Sequence, residues 1–507
     1  MEKYDLVIIG SGAGLSLMNT GLQVGMKVAL LEATKLGGTC LTRGCIPSKV
    51  LVHPADLIRE AEHAKKVGLH FKLEKFDWSL IAKRMWDQID ESKQMEKGIS
   101  AMDNPTLYKG RGEFTGEYEM DVKSIDGRKS LGTFKGERFV LTSGSRPFIP
   151  PIEGIEEVGY VTNRSFFGEK FPKEPWKSLI IIGGGVIAAE FAHIFSAFGT
   201  DVTIVEMLPR LVATEEPEIS AFLEQNFKKH MRVMVNHKAV KAYENKHQKV
   251  IVLENSQTGE QIEVKSEEIF IAAGRKSNAD LLKVENSGVE TDRRGWIKTN
   301  EYLETSKKNI WCFGDANGLY QFRHKANYEA EICTNNIFGP PERKRAAEYS
   351  AVPWAIFTYP QIGHVGMTQA EAIEKGHEVL VAIKQYSTTA KGHAMGFEKN
   401  DDDDGFVKLV VDKSYKILGA HVVGPHAAVL VQPFVYLMNS GFTCTLPESV
   451  DKIETPKLER SCPEAGSFMP IYNSMVIHPS LNEVTGWAIG NLRPVNIKTE
   501  HHEHHHA

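Results

Sequence analysis

The sequence predicts an α/β protein with two Rossmann-like dinucleotide-binding units and a separate α+β domain at the C-terminal end. Three observations lead there. "YDLVIIGSGAGLSLMNTGLQVGMKVALLEA", residues 4–33, runs apolar strand, glycine turn, helix and second apolar strand, the order of a βαβ unit. "SLIIIGGGVIAAEFAHIFSAFGTDVTIVE", residues 178–206, repeats that order. From about Val352 onward strands and helices follow without another glycine turn of this kind, which sets a further domain apart.

At 507 residues the chain exceeds one core and divides into roughly three or four domains. A hydrophobic fraction of 42% with 25% charged residues is ordinary for a globular protein. A net charge of −5 and a pI near 6.5 give nucleic acid or an anionic membrane surface no electrostatic footing, so small molecules are the expected partners. "MEKYDLVIIG" reads as a first strand, not a signal peptide. In the apolar run 179–195, Glu190, His193 and three consecutive glycines argue against a membrane span. Six cysteines without a secretory signal point to a reducing, cytoplasmic location, so a cysteine pair here calls for a chemical explanation.

Between the two units, apolar spacing predicts helix over residues 50–102, and alternation from Leu107 to Leu141 predicts a small antiparallel sheet. Residues 250–264, "VIVLENSQTGEQIEV", read as a hairpin, and "NIWCFGDANG" as a buried strand ending in a turn. "DDDDG", residues 401–405, reads as a solvated hairpin turn. "HHEHHHA", residues 501–507, reads as a disordered tail or a purification-tag remnant and is set aside.

In the first unit Gly10 and Gly12 supply the tight turn and the close backbone approach that a pyrophosphate needs at a helix N-terminus. Glu32 ends the second strand, where an acid accepts ribose hydroxyls. Leu15 holds the third fingerprint position although Gly14 precedes it, which predicts a helix packed slightly further from its strand. The second unit has Gly183, Gly185 and Ala188 at the fingerprint positions and Glu206 closing its second strand. A carboxylate there repels a 2′-phosphate and favours NAD over NADP, with Arg210 nearby as the opposing charge. Two such units imply two dinucleotides.

"GGTCLTRGCIPSK", residues 37–49, places Cys40 and Cys45 five apart. Zinc needs about four ligands, and Cys312, Cys333, Cys444 and Cys462 are isolated, so no metal is assigned. A structural disulfide would close a very short loop and gain little. A regular helix would hold the two Cα atoms about 8–9 Å apart, beyond the roughly 4.4–6.8 Å that a disulfide tolerates. The segment is therefore expected to be distorted, with Gly44 and Pro47 as the residues that permit or force it. A short constrained loop directly after a nucleotide-binding unit favours a reversible redox couple. In "VIHPSLNEV", residues 476–484, His478 is a candidate general base and Glu483 a carboxylate to orient it.

Together these motifs resemble the flavoprotein disulfide reductases, the class I pyridine nucleotide-disulfide oxidoreductases. "GGTCLTRGCIPSK" is similar to that family's redox motif and "HPSLNE" to its His-Glu motif, with "LTSGSRP", "IIIGGGVIAAEF", "AAGRKSN" and "CFGDANG" in the family's order. The resemblance implies FAD on the first unit and NAD on the second. It implies FAD-binding segments at 1–155 and 281–350, an NAD-binding domain at 156–280 and a dimerisation domain at 351–498, with 499–507 as tail. It further implies that Gly10, Gly12, Gly14, Glu32, Thr39, Gly112, Ser143, Gly144 and Asp315 contact FAD, that Gly183, Gly185, Ala188, Glu206 and Gly274 serve the second cofactor, and that Lys49 sits by the flavin and pairs with Glu190. Cys40 would meet the substrate and Cys45 the flavin, while His478 and Glu483 would act on the partner subunit's disulfide in a homodimer with shared sites.

The activity implied is that of dihydrolipoamide dehydrogenase, oxidising a lipoyl group on a carrier domain with NAD. The alternatives are an NAD(P)H-dependent reductase of another small disulfide, as in mycothione reductase, or a flavin-holding scaffold without turnover. Two departures bear on this choice. Arg43 stands between the cysteines as a cation able to lower a thiol pKa, and the chain between Gly441 and His478 is longer than in dihydrolipoamide dehydrogenases, rich in Pro and charge.

Overall fold

The structure, a computed structural model, describes residues 1–440, 469–480 and 482–483. The first unit is built on a five-stranded parallel sheet in the order Ile310–Cys312, Phe139–Leu141, Leu6–Ile9, Val28–Leu31, Thr106–Tyr108. "LVII" and "VALL" are buried throughout, as the central strands of a sheet covered on both faces must be. Residues far apart in sequence complete it, since Ile310–Cys312 joins beside Phe139–Leu141 only after the second unit has been made. The second unit has its own parallel sheet, ordered Arg232–Met234, Asp201–Val205, Ser178–Ile182, Glu268–Ile271. The ladder between Ser145–Pro147 and Arg275–Ser277 marks the two crossings between the units.

The C-terminal domain is a five-stranded antiparallel sheet, ordered Pro353–Ile356, Ile362–Gly366, Ile417–Val423, Phe406–Asp412, Val379–Gln385. One core cluster runs through all three parts. It contains Leu51 and Val52 from helix Cys45–His63, Phe191 and Phe195 from helix Val186–Ala197, and Ile356 and Phe406 from the C-terminal sheet. Among the described residues no helix is long and apolar enough to cross a membrane. Cys444, Cys462, the long stretch before residue 469 and the tail 501–507 lie outside the described residues.

Four readings of the sequence need correction. The helix expected over 50–102 is two helices, Cys45–His63 and Trp78–Ser100. Gly68, at φ 84°, turns the chain out of the short 3-10 extension of the first, and Asp77 caps the second by accepting the Leu80 N–H at 2.9 Å. The antiparallel sheet expected over 107–141 is confined to Arg111–Gly136, because the strands at its ends pair in parallel with the main sheet.

"DDDDG" is not a solvated hairpin turn. Asp404 is buried and accepts from the backbone N–H and hydroxyl of Ser387, while Asp401 and Asp403 both bind Lys66 and the Asp402 carbonyl accepts from Asn226. The run joins all three parts of the molecule. Lastly, the first helix is not set back from its strand at Leu15. Gly14 fills the close-approach role, since a Cβ there would lie 2.6 Å from Thr142 Oγ1 and 2.8 Å from both the Gly10 carbonyl oxygen and Ile8 Cγ2.

A branched side chain at that contact would force the helix off its sheet. Gly14→Val is expected to cost about 1–3 kcal/mol, the range for overpacking a tight contact, read as a lower midpoint of urea unfolding.

Candidate active site

The cysteine loop owes its shape to glycine. Gly37 and Gly38, at φ 94° and 68°, turn the chain into the short helix Gly38–Arg43, and Gly44, at φ −148° and ψ −119°, ends it. A new helix starts at Cys45, so the two cysteines are not on one continuous helix. Pro47 falls within the first turn of that second helix, where a missing N–H leaves nothing unpaired, and Gly44 alone makes the break.

Cys40 and Cys45 are free thiols, and their sulfurs and a ring nitrogen of His478 all lie within 4.8 Å of one another. Cys45 is pulled down to about 6, first by the hydrogen bond it accepts from Cys40 and then by the Lys49 cation. Cys40, the donor in that bond and buried besides, is pushed well above the ordinary thiol range. The two thiols are thus shifted in opposite directions, Cys45 toward the thiolate and Cys40 toward the protonated form.

Lys49 Nζ lies 2.9 and 2.7 Å from the two oxygens of Glu190 and 4.5 Å over the Phe357 ring. Glu190 Oε1 also accepts the Phe357 N–H at 3.1 Å. The side-chain cations that act on the thiols are therefore Arg323 and Lys49 on Cys40 and Lys49 on Cys45, and not Arg43. The guanidinium of Arg43 instead donates to Thr34 Oγ1 at 2.8 Å, and burial lowers its pKa to about 10.

His478 Nε2 is 3.1 Å from Cys40 Sγ, and its Nδ1 is 2.6 Å from Glu483 Oε1. A carboxylate only accepts, so Nδ1 carries the proton and Nε2 of the neutral ring is the acceptor facing Cys40. The His478 N–H reaches Nδ1 of His324 at 3.4 Å, and burial holds that second histidine at about 4, hence neutral. Gln432 fixes the segment at both sides, donating to the Met475 carbonyl and accepting from the Ile477 N–H. All of these residues belong to one chain. Within this one chain His478 stands beside Cys40, and the expectation that it serves the partner subunit's disulfide is a question for a mixed dimer.

An open cleft with a cavity volume of about 250 Å³ lies beside the pair, lined by Gly10, Gly12, Glu32, Thr39, Gly112, Ser143, Gly144 and Asp315 among others. The hydroxyl of Ser143 is buried in it without a partner, and a Cβ on Gly10 would stand 2.2 Å from the Thr142 carbonyl oxygen. A cleft with an unpaired hydroxyl and a glycine turn fits a dinucleotide such as FAD. Glu32 accepts from the Ser11 N–H and hydroxyl and from the Thr34 N–H and hydroxyl, so it shapes the turn as well as facing the cleft. In the second unit Gly183 sits at φ 115°, and a Cβ on Gly185 or on Gly274 would meet nothing within 4 Å, which leaves backbone open to a ligand. Ala188 is buried in the helix that follows. Glu206 accepts from the Gly184 and Leu208 N–H groups at 2.5 and 2.8 Å, and Arg210 turns to the Ala213 carbonyl.

Sequence reasoning missed the support beneath Asp315. Glu329 accepts from the Gly314 N–H, Asn317 and Tyr349, and its partner Lys325, fully buried, donates to the Gly314 carbonyl and Asn317. Together they set the turn from which Asp315 accepts Ser145 Oγ at 2.7 Å. The signal was present as a Lys and a Glu four apart in "RHKANYEAE", a pair that reads as surface charge until burial is known.

The family model described as pyridine nucleotide-disulphide oxidoreductase matches residues 4–330, and that family's dimerisation domain matches 352–452. The chain belongs to this family. Pyridine nucleotide-disulphide oxidoreductases are FAD- and NAD(P)-dependent, and this member carries the homodimerisation domain. It is similar to the dihydrolipoyl dehydrogenase of Chlamydia muridarum, 30% identical over 499 residues that make up 98% of this chain and 97% of the other. It is also similar to the mycothione reductase of Mycobacterium tuberculosis, 32% identical over 461 residues, 87% of this chain and 94% of the other. Among solved structures it matches the Cu(II) complex of the HOCl-induced flavoprotein disulfide reductase RclA from Escherichia coli. There the TM-score is 0.73 at 26% identity, covering 89% of this chain and 97% of that one.

Removing the Lys49–Glu190 charges together tests the division of the thiols. Lys49 acts on Cys45 more strongly than Glu190 does, so in Lys49→Met/Glu190→Gln the Cys45 thiolate forms at higher pH. The long-wavelength thiolate-to-flavin band of the reduced oxidoreductase, present above that midpoint and lost below it, should move upward by about one pH unit.

Proposed function

We propose that this oxidoreductase is an NAD-linked dihydrolipoyl dehydrogenase, in which Cys40 exchanges with the lipoyl dithiol and Cys45 faces the flavin. The observation that carries the reading is the line Glu483, His478, Cys40, Cys45, Lys49, in which each group sets the protonation of the next. Cys40 has one proton and two acceptors, the Cys45 thiolate and His478 Nε2. When His478 takes a proton, from Cys40 or from a dithiol bound opposite, Glu483 stabilises the resulting imidazolium.

A substrate thiolate then attacks Sγ of Cys40 in the oxidised pair. The Cys40–Cys45 bond breaks, a mixed disulfide forms, and Cys45 leaves as the thiolate that Lys49 stabilises. The second substrate thiol, deprotonated in turn, closes the substrate's own disulfide and expels Cys40. FAD, when bound, accepts the electron pair from the dithiol and supplies it as hydride to the nicotinamide. Glu32, Ser143 and Asp315 would hold it, with Gly183, Gly185 and Glu206 holding the nicotinamide cofactor. Glu206 favours NAD, because its carboxylate would repel a 2′-phosphate and Arg210 is bound elsewhere.

A second reading, reduction of a small disulfide by NADH or NADPH, is favoured by the similarity to mycothione reductase. The two separate in one assay, NAD-dependent oxidation of dihydrolipoamide against NADH- and NADPH-dependent reduction of a disulfide panel. Dihydrolipoamide turnover exceeding every disulfide supports the first reading, and the reverse order supports the second.

His478→Ala should lower turnover by about 10²–10⁴-fold with FAD retained, the usual worth of a positioned acid–base group. With His478 beside Cys40 of its own chain, a purified mixed dimer of Cys45→Ser and His478→Ala subunits should regain no activity, whereas about half of wild-type activity, one intact site of two, would place the base across the dimer.

A further inference from the structure

A second cluster lies where the second nucleotide-binding unit meets the C-terminal sheet. His364 and His421 are directly opposed residues on neighbouring antiparallel strands, so both rings project from one face. Glu215 reaches them from the loop before helix Pro217–Phe227. All three side chains are buried, at 1% exposure or less. His364 Nδ1 is 3.0 Å from Glu215 Oε2 and 3.1 Å from His421 Nδ1, and one ligand atom from each residue lies within 4.8 Å of the others.

The hydrogens can be counted. His364 Nε2 lies 3.0 Å from the Gly366 carbonyl and His421 Nε2 lies 3.1 Å from the Met367 carbonyl. Carbonyl oxygens only accept, so both Nε2 atoms carry hydrogen, and in neutral rings both Nδ1 atoms are bare lone pairs. Two lone pairs and a carboxylate oxygen then converge in a buried site with no cation between them among the described residues. Lys408 is not that charge, since its ammonium is bound to Glu216 and Glu218.

We propose that Glu215, His364 and His421 form a buried site for a divalent transition-metal ion of the kind imidazole and carboxylate ligands take, with Zn2+ as its representative. A tetrahedral ion with ligands at about 2.0–2.1 Å spaces them roughly 3.3 Å apart, close to the 3.0 and 3.1 Å that separate His364 Nδ1 from Glu215 and from His421. The surroundings are those of ligating imidazoles. Each far nitrogen is tied to a backbone carbonyl, Trp354 stacks on His364 with ring centroids 3.5 Å apart, and Trp354 Nε1 donates to the other oxygen of Glu215 at 2.6 Å. Such an ion would clamp the loop of the second unit to the C-terminal sheet.

The test compares the full-length flavoprotein with Glu215→Gln, His364→Ala and His421→Ala. Each is equilibrated with Zn2+, desalted and assayed for zinc per bound FAD. The His-rich tail and the cysteine pair are common to all four, so the difference isolates the cluster. Wild type should keep roughly one zinc per chain more than each variant, and a chelator should lower its thermal midpoint while leaving those of the variants unmoved. Glu215→Gln retains shape and the Trp354 acceptor, so it decides the matter if a histidine variant loses FAD. Equal zinc in wild type and Glu215→Gln would overturn the proposal and leave a shared proton as the positive charge.

Discussion

The Lys49–Glu190 pair is the constraint on which the active site depends. It joins the helix that begins at Cys45 to the helix of the second nucleotide-binding unit, and through the Phe357 N–H it takes in the C-terminal domain as well. Ion pairs add little net stability, but removing Lys49 leaves the buried Glu190 carboxylate with its charge unpaired, which is costly even though the lysine itself keeps some contact with solvent. The arrangement therefore fixes the ammonium in position beside Cys45. A surface lysine at the same distance would be screened and mobile. Held here, it adds to the hydrogen bond from Cys40 in lowering the Cys45 thiol.

Much of this was legible in the sequence, for reasons that differ by residue. The parallel sheets could be read because buried strands are continuous apolar runs closed by glycine turns, as in "LVIIGSG" and "LIIIGGG". The unequal cysteines could be anticipated only through the family resemblance. Spacing excluded a regular helix and zinc, but it said nothing about which sulfur would be charged. That division comes first from the hydrogen bond between the two thiols, then from Lys49, four residues beyond Cys45, and from His478, 438 residues beyond Cys40.

The misreadings of charge share one cause: local pattern shows a charged residue's neighbours in sequence, while its burial is decided by contacts distant in sequence. "DDDDG" has the composition of a solvated turn, yet Asp404 is buried against Ser387 and Asp403 meets Lys66 of the first unit. Arg43 stands between the cysteines in sequence, but the helix Gly38–Arg43 turns its side chain away from them toward Thr34. Lys325 and Glu329 have the spacing of an exposed helical pair and are wholly buried under the Asp315 turn. A buried charge is tolerated only where partners meet it, and those partners came from other segments each time.

Proton inventory links the histidines that remain. At His478 a carboxylate claims Nδ1–H, which leaves Nε2 bare toward a thiol able to supply a proton. At His324 a backbone carbonyl claims Nε2–H, and Nδ1 is bare toward the His478 N–H, so that ring is neutral and complete. At His364 and His421 carbonyls claim both Nε2–H groups, and the bare nitrogens face each other and a carboxylate. The first arrangement needs a proton only during turnover, and the second needs none. The third needs a positive charge at rest, which separates it from the chemistry at the cysteines although the same fold positions both.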